Sequence, residues 1–310
     1  MDVHLRDLRY FQAVAEELHF TRAAERLFIS QPALSKQIRL LEHQIGVRLF
    51  ERDRRSVRLT AAGKALADSA EGVLVAWEEA LRACHDAAAD AASVLVVGIQ
   101  TSIGRDLQRR AAVEFATRRP GWRLLPRLCP WGDPTAGLAD RSTDVAFLWL
   151  PVPADAGLST TVLFTEDRWV ALPEDHRLAA LDVVPFERLL AESFIALPVA
   201  AGPARDFWLA LDHRPVGSPV HIAAEAHNAE ETFELVAAGA GVVLLAAGNA
   251  RIYARPGIVC RPVSGLSPSR LAVARRRHDR RAAVRTFMDA CTSIVEVSSW
   301  VGGETRGSQS

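Results

Sequence analysis

The stretch from residue 21 to residue 45, TRAAERLFISQPALSKQIRLLEHQI, constrains the fold most, because it predicts two short helices joined by a tight turn. The Thr21 hydroxyl is placed to cap the first helix, and Ser30 to cap the second. Pro32 falls in the first turn of the second helix, where a missing N–H costs nothing. The apolar residues of this second helix recur at spacings of four, three and four, which is one buried face: Leu34, Ile38, Leu41 and Ile45.

The opposite face of the second helix is polar and basic, with Gln31, Pro32, Ser35, Lys36 and Arg39. Amide, hydroxyl and cationic groups on a helix with one buried stripe are what a reader of the DNA major groove needs. An ordinary surface helix also has a polar outer face. The residues of this helix alone leave both interpretations open.

The flanking segments favour DNA reading. Leu5, Leu8, Phe11 and Ala15 predict a preceding helix, and Gly46 ends the reading helix. The segment VRLFERDRRSVRLT then predicts a two-stranded hairpin with a basic tip, which is a wing. From Val47 to Lys64 six cations face two acids, an excess of +4 that would attract phosphates: Arg48, Arg52, Arg54, Arg55, Arg58 and Lys64.

The run from Leu8 to Gly63 strongly resembles the LysR-type transcriptional regulators. The matching residues are Thr21, Ala23-Ala24, Leu27, Ser30-Gln31-Pro32-Ala33-Leu34-Ser35, Gln37-Ile38, Leu41-Glu42, Gly46, Leu49-Phe50, Arg52, Leu59-Thr60 and Ala62-Gly63. The resemblance implies an α+β multidomain chain: a winged helix-turn-helix over residues 1–60, a linker helix over 61–92 and a two-lobed α/β effector-binding domain of the periplasmic-binding-protein type over 93–298.

The resemblance also implies roles in binding double-stranded DNA. Base edges would be read by Gln31, Pro32, Ser35 and Lys36. Phosphates or the minor groove would be contacted by Thr21, Arg39, Arg52, Arg54, Arg55 and Lys64. RNA polymerase is a further possible partner of such a regulator.

Composition supports a basic head on an acidic body. The whole chain carries 37 cations and 37 acids, so overall charge predicts no polyanion partner. Residues 1–66 hold twelve cations and eight acids, so the remainder carries the compensating −4. The polar N-terminus and the absence of an apolar run of about 20 residues predict a cytoplasmic protein without a membrane segment. The four scattered cysteines, without a C-x-x-C, predict reduced thiols.

Residues 61–92 predict one long helix with an apolar seam of alternating spacings of four and three: Leu66, Ala70, Val73, Trp77, Ala80 and Cys84. Packing against its own domain is the alternative to dimerisation. We expect a homodimer, and the resemblance favours a homotetramer. The residues expected to carry dimerisation are Leu66, Val73, Leu74, Trp77 and Leu81.

From Val94 onward, strands and helices alternate, which predicts two lobes built on open parallel sheets. Lobe I is expected over residues 93–162 and 267–298, and lobe II over 163–266. A short helix is expected from Asp133, between the second and third strands of the first half. Pro151 and Pro153 mark the expected crossover to the second half. The closing helix is expected over residues 279–295, followed by a disordered tail over 299–310.

A small-molecule effector is expected between the lobes. Gln100, Thr101 and Ser102 follow the first strand and open a helix, so they predict an anion site, although Thr101 or Ser102 could simply cap the helix. The resemblance adds cleft residues of lobes I and II: Trp131, Trp149, Val199, Gly202, His227 and Asn228. Two departures from the family pattern, missing prolines near the first effector helix and in LLAAG at 244–248, leave the ligand class open.

Other functions have little support in the sequence. The nine histidines lack H-x-x-x-H and H-E-x-x-H spacing, so no metal site is expected, and no cofactor or catalytic motif is found. The seven arginines between Arg270 and Arg285 predict the charged faces of a strand and helix, with a second nucleic-acid site as the alternative. The remaining rival function is a cytoplasmic small-molecule-binding α/β protein whose N-terminal segment merely dimerises.

Overall fold

The computed structural model describes residues 3–52, 56–102 and 106–303. The chain divides into two compact units, Met1–Ala88 and Ala89–Ser310, which are described separately. The elements of the first unit, in chain order, are α1 (Leu5–Glu17), α2 (Phe20–Arg26), α3 (Gln31–Ile45), β1 (Phe50–Arg52), β2 (Val57–Leu59) and α4 (Ala61–Ala92).

The first three helices enclose the core of the N-terminal unit. Phe11 of α1 and both Leu34 and Ile38 of α3 are fully buried there. The Phe50 ring lies 5.4 Å from the Phe11 ring and anchors β1 on the same core. β1 and β2 pair antiparallel from Phe50 opposite Leu59, which confirms the predicted hairpin. The predicted tip residues Arg54 and Arg55 lie outside the described residues, as does the side chain of Arg52.

Helix caps fix the turn between α2 and α3. The Ser30 hydroxyl accepts the Ala33 N–H at 3.4 Å, and Gly46 ends α3 with a φ of 76°; both were predicted. The predicted cap at Thr21 is wrong. Phe20 enters the core and is already helical, so α2 begins two residues earlier than predicted and its cap is His19, whose Nδ1 accepts the Arg22 N–H at 3.4 Å.

The wing is tied to the helices by hydrogen bonds that the sequence pattern did not show. The Glu42 carboxylate of α3 accepts the N–H groups of Leu49 at 2.9 Å and Phe50 at 3.1 Å. The Thr60 hydroxyl donates to the Arg48 carbonyl at 2.7 Å. At Gly63, a Cβ would lie 2.1 Å from the Leu49 carbonyl oxygen, so α4 packs here as closely as glycine permits.

The second unit contains, in chain order, β3 (Val94–Ile99), α5 (Leu107–Arg118), β4 (Arg123–Leu128), β5 (Val145–Leu150), β6 (Leu158–Glu166), β7 (Arg168–Pro173), β8 (Val184–Pro185), β9 (Ser193–Ala196), α6 (Pro203–Trp208), β10 (His221–Glu225), α7 (Ala229–Ala237), β11 (Val243–Ala246), α8 (Ala247–Ala250), β12 (Ile258–Ser264), β13 (Ser269–Arg276) and α9 (Ala282–Gly303). Four 3₁₀ turns, Arg177–Ala180, Phe186–Leu189, Val199–Ala201 and Leu211–His213, connect them.

Lobe I is a five-stranded mixed sheet in the order β4-β3-β5-β13-β6. β3 is parallel to β4 and β5, whereas β13 is antiparallel to β5 and β6. The predicted parallel arrangement of the first three strands, β3, β4 and β5, is confirmed. The antiparallel direction of β13 was not predicted, and β6, which runs to Glu166 as part of lobe I, was missed. Buried apolar runs do not report strand direction, and the threonines of β6 gave no such run.

The segment expected to start a helix at Asp133 forms tight turns instead. Its carboxylate accepts the Thr135 N–H at 2.9 Å, the Thr135 hydroxyl at 2.6 Å and the Gly137 N–H at 2.6 Å. An aspartate that satisfies several local donors in this way stabilises a turn in competition with a helix.

Lobe II is built on a four-stranded sheet in the order β11-β7-β12-β8 and a parallel pair, β9 and β10. β7 is antiparallel to both of its neighbours, and β12 is parallel to β8. The second predicted parallel half is confirmed where β9 is parallel to β10 and bridges in parallel from Phe194 to Val242, and it is wrong for β7. Val170, Leu172 and Phe194 belong to the buried cluster at its centre.

A buried ion cluster closes the C-terminal part of lobe I. The Asp279 carboxylate accepts from the Arg281 guanidinium at 2.7 Å and from Arg276 at 3.0 Å. Asp144 accepts from the same Arg281 at 2.6 Å and from the Val96 N–H at 2.8 Å. These two arginines of the basic run are therefore internal ion-pair partners, which argues against a second nucleic-acid surface at this place.

The last helix differs from the prediction at both ends. Asp279 precedes the helix, which begins at Ala282 and continues to Gly303, so residues 299–303 are helical where a tail was expected. Residues 304–310 of the predicted tail lie outside the described residues. Within the described ranges, no helix combines the length and apolar character needed to cross a membrane. All four cysteines are free thiols.

Candidate functional site

The outward face of α3 holds the residues predicted to read base edges. Gln31, Pro32 and Lys36 are exposed, and Ser35 is half-buried beside them. Arg39, one turn further along, is exposed and donates from Nε to the Ser35 carbonyl at 3.2 Å. Because Leu34 and Ile38 hold the other face fully buried, these polar groups are presented on a helix whose rotation is set by the core.

The predicted phosphate contacts are spread around this helix. Thr21 is exposed on α2, and Lys64 is exposed in the first turn of α4. Arg22 and Arg26 were not predicted as DNA contacts. They form ion pairs on the α1–α2 surface, Arg22 with Glu17 at 3.2 Å and Arg26 with Glu16 at 2.5 Å. Arg48, which the sequence analysis counted only in the charge of the wing, lines a groove beside the C-terminal half of α3 together with Arg39 and Glu42.

Helix α4 changes character along its length. Leu66 and Ala70 pack against the core of the N-terminal unit, so the predicted dimerisation seam begins with residues already used internally. Further along, Val73 is 48% exposed, Trp77 46% and Leu81 39%, at spacings of four. Leu74 is half-buried. An apolar stripe on an exposed helix is the feature that a second helix can cover.

A cavity of about 80 Å³ lies between the two lobes of the second unit. Lobe I contributes the loop after β3, the loop after β4 and the end of β5. Lobe II contributes the end of β9 together with α6, α7, β11 and α8. The lining residues are Gln100, Thr101, Trp131, Trp149, Leu197, Ala204, Trp208, Ala229, Thr232, Phe233, Val243, Leu244, Leu245, Ala246, Asn249 and Tyr253.

Four of the nine residues predicted for the effector site line this cavity: Gln100, Thr101, Trp131 and Trp149. The Trp131 indole donates to the Gln100 carbonyl at 2.8 Å, and the Gln100 amide donates to the Asp133 carbonyl at 2.7 Å. These bonds hold the loops after β3 and β4 together, so the lobe I side of the cavity is a connected wall.

The other five predicted residues are not among those lining the cavity: Ser102, Val199, Gly202, His227 and Asn228. Asn228 caps α7 by accepting the Glu231 N–H at 2.9 Å, and the His227 carbonyl accepts the Trp131 N–H at 3.2 Å. Val199 is 71% exposed, and Gly202 turns the chain into α6 with a φ of 55°. Asn228 therefore acts as a cap and Gly202 as a turn, while Val199 lies on the surface.

Tyr253 reaches across the cleft to the loop predicted as an anion site. Its hydroxyl is hydrogen-bonded to the Thr101 hydroxyl and accepts the Ser102 N–H at 3.3 Å. Its ring stacks on Phe233 with centroids 4.4 Å apart. Since α5 begins only at Leu107, Thr101 does not cap it. The groups expected to meet an anion meet a tyrosine hydroxyl instead.

Three aromatic residues that were not predicted from the sequence complete the lobe II wall: Trp208, Phe233 and Tyr253. Trp208 meets Trp149 edge to face at 6.1 Å, and Phe233 and Tyr253 form the stacked pair opposite. A helical aromatic residue that faces a cleft has the same spacing pattern as one that faces a core, so the sequence carried no signal to separate them.

Arg168 braces the two crossings between the lobes. It lies at the start of β7, on the first crossing, and donates from Nε to the carbonyl of Ser267, on the second, at 2.8 Å. It also donates to the Phe207 carbonyl at 2.8 Å and lies 4.3 Å above the Phe207 ring. Burial lowers the pKa of this guanidinium to about 10. Arg168 therefore holds Phe207, the residue that immediately precedes Trp208 of the cavity wall.

Titratable groups give little sign of reactive chemistry in the described part of the chain. No cluster of three or more His, Cys, Asp or Glu side chains able to hold a metal occurs there. Burial raises the pKa of the Cys260 thiol to about 11 and raises those of Cys129 and Cys291. Raised pKa values keep these thiols protonated and unreactive at neutral pH.

Two family models match the chain and together span most of it. Residues 5–64 match "Bacterial regulatory helix-turn-helix protein, lysR family", and residues 88–295 match "LysR substrate binding domain". Two curated proteins of Escherichia coli K12 are similar along nearly their whole length. XapR is 31% identical, with 93% of this chain and 97% of XapR covered. HcaR, the Hca operon transcriptional activator, is 34% identical, with 92% and 96% covered.

Solved structures show the same architecture. A full-length OxyR variant from Pseudomonas aeruginosa has a TM-score of 0.52 and 29% identity, covering 94% of this chain and all of that one. CbnR, a LysR family regulator, has a TM-score of 0.52 and 26% identity, covering 93% of this chain. CbnR has also been solved with its target DNA, at a TM-score of 0.50 and 26% identity. This chain belongs to the LysR family: it is a DNA-binding transcriptional regulator with an effector-binding domain.

Proposed function

We propose that this regulator binds an operator of two-fold symmetry through α3 of paired subunits, and that a small molecule in the interlobe cavity modulates this binding. The observation that carries the proposal is the exposed face of α3, where Gln31, Ser35 and Lys36 lie opposite a fully buried stripe. Gln can pair with adenine, and Lys with guanine, in the major groove. The similar regulator CbnR is solved in complex with its target DNA.

Pairing of the subunits follows from α4. The stripe formed by Val73, Trp77 and Leu81 would be covered by the same stripe of a second copy, which joins two reading heads by a two-fold axis. Such a dimer binds half-sites about one helical turn, or a multiple of it, apart. We propose a homodimer as the minimum unit, and a homotetramer with RNA polymerase contact as its extension.

Modulation requires that the ligand favour one lobe arrangement over another, because tight binding to both arrangements would shift nothing. The hydrogen bond between Thr101 and Tyr253 and the contact between Trp149 and Trp208 join the lobes across the cavity. A ligand that inserts between these pairs would alter the contacts that set the lobe arrangement.

We propose that the protein acts in the cytoplasm, catalyses no reaction and needs no metal or cofactor besides its effector. Its relatives XapR and HcaR are transcriptional regulators.

The test is binding to fragments of the protein's own upstream DNA, compared with unrelated duplex, for the wild type, Ser35→Ala and Lys36→Ala. Loss of one base-edge contact should cost about 1–3 kcal/mol, or roughly 5- to 150-fold in affinity for the specific fragment. Arg285→Ala, which removes an exposed cation from α9, is the matched control and should bind as the wild type does.

The rival function predicts a different result. If the N-terminal segment only dimerises, no fragment will bind specifically, the variants will behave alike, and affinity will not fall steeply with salt. A regulator that neutralises several phosphates must lose affinity by orders of magnitude between low and moderate salt.

A further inference from the structure

The interlobe cavity is aromatic and carries no formal charge on its described lining. Trp131, Trp149, Trp208, Phe233 and Tyr253 contribute rings, and the remaining lining side chains are aliphatic, amide or hydroxyl. A carboxylate buried in such surroundings without a cation would cost several kcal/mol, because desolvation opposes the charged form. The lining therefore favours an uncharged ligand with an aromatic face.

Two donors of the loop after β3, where the sequence predicted an anion site, are already engaged. The Thr101 hydroxyl is bonded to the Tyr253 hydroxyl, and the Ser102 N–H donates to that same oxygen at 3.3 Å. A carboxylate at this loop would have to displace Tyr253 from its stack on Phe233. A neutral ligand can lie beside this pair and leave it intact.

Two buried polar atoms on the cavity lining have no hydrogen-bond partner within the described residues. They are the indole Nε1 of Trp149, a donor, and the side-chain Oδ1 of Asn249, an acceptor. Asn249 is 6% exposed, so water does not readily serve its oxygen. Buried polar groups are normally paired, and leaving one unpaired costs about 1–3 kcal/mol. A ligand that supplies one acceptor and one donor would satisfy both.

The cavity size limits the ligand to about one ring. The cavity measures about 80 Å³. A cavity needs roughly 10–15 Å³ to hold one water molecule, so this cavity could hold about six waters. The same volume would accommodate one small substituted ring.

We propose that the effector is an uncharged single-ring aromatic compound with one hydrogen-bond acceptor and one donor, bound between Trp149 and Asn249. This inference rests on the proposed function insofar as it takes the cavity to be the effector site. It concerns ligand class alone, so a binding measurement without DNA tests it separately.

The probes are benzamide and benzoate, which have the same ring and nearly the same size. Benzamide carries a neutral amide group where benzoate carries a negatively charged carboxylate. Titration of the full-length protein by calorimetry should show benzamide binding at least tenfold more tightly than benzoate. Trp149→Phe removes the unpaired donor and should weaken benzamide about 3- to 10-fold, the worth of one net hydrogen bond. Asn249→Leu should weaken it similarly.

Trp122→Phe is the control, because Trp122 packs against Phe115 in the lobe I core and is not among the residues that line the cavity. It should leave both affinities unchanged. Equal affinity for the two probes, preference for benzoate, or no binding of either up to its solubility limit would each overturn the inference. Specific DNA binding by the same protein sample would show that the proposed regulatory function survives such a result.

Discussion

Asp279→Asn should destabilise the effector-binding domain by about 3–5 kcal/mol, the usual cost of breaking a buried ion pair. The Asp279 side chain is 1% exposed and that of Arg281 is 6% exposed, so solvent screens their interaction little. The substitution removes one negative charge from a cluster of two acids and two arginines and leaves a buried positive charge uncompensated. Asp144, 2.6 Å from Arg281, balances only one of the two guanidinium groups.

The pH dependence of this loss has a definite sign. Burial alone would raise the pKa of Asp279, but hydrogen bonds from Arg281 and the charges of Arg281 and Arg276 outweigh it, so the pKa is lowered. A depressed pKa means that the stabilisation is complete above the unfolded-state pKa of about 3.9 and is lost as pH falls through the folded-state pKa. The difference between wild type and variant should be constant from pH 7 to about 5 and shrink below about 4.

Urea unfolding followed by tryptophan fluorescence measures this difference, because five of the seven tryptophans lie between residues 122 and 208. Asp289→Asn is the control: it makes the same chemical change at an exposed position of α9 and should shift stability by less than about 0.5 kcal/mol. If the two variants were equally stable at pH 7, the argument that the buried cluster stabilises this lobe would be refuted.

Three further substitutions test other parts of the structure. Gly63→Ala should lower the free energy of unfolding by about 1–3 kcal/mol, because its Cβ would lie 2.1 Å from the Leu49 carbonyl oxygen. The loss would be seen as a lower melting temperature by circular dichroism. Gly72→Ala on the same helix, with nothing within 4 Å of the new Cβ, should instead stabilise by about 0.5–1 kcal/mol; the opposite order would contradict the packing described. Trp77→Asp should lower the oligomeric state measured by light scattering after size exclusion, because it places a charge on the exposed apolar stripe of α4; an unchanged oligomeric state would show that α4 is not an interface.

The N-terminal unit could be predicted in detail because its signals are local. Ser30, Pro32 and Gly46 mark the ends of α3, and the four-three-four spacing identifies its buried face. The cap at Thr21 failed because a tertiary contact, the burial of Phe20, extended the helix beyond the point that capping preference suggests. Local signals predict helix ends well until packing overrides them.

The effector-binding domain was predicted in outline, including the parallel pairing of β3 with β4 and β5, but the antiparallel pairing of β7 and β13 was not predicted. A buried strand such as Leu244 and its neighbours is apolar on both faces, whether its partner runs parallel or antiparallel. The cavity was half predicted for a related reason. Thr101 lies on the lobe I loop directly after β3, and Trp149 lies near the end of β5. Tyr253 and Asn249 reach the cavity through the packing of lobe II against lobe I, a long-range arrangement that no local spacing encodes.

The most direct test of the central claim is a hydroxyl-radical footprint of the wild-type protein on its own upstream DNA. Two heads joined through α4, each inserting α3 into a major groove, predict two protected half-sites of inverted sequence on one face of the duplex, separated by about 10 base pairs or a multiple of that. A single protected segment without symmetry, or uniform protection along the fragment, would contradict paired reading by α3.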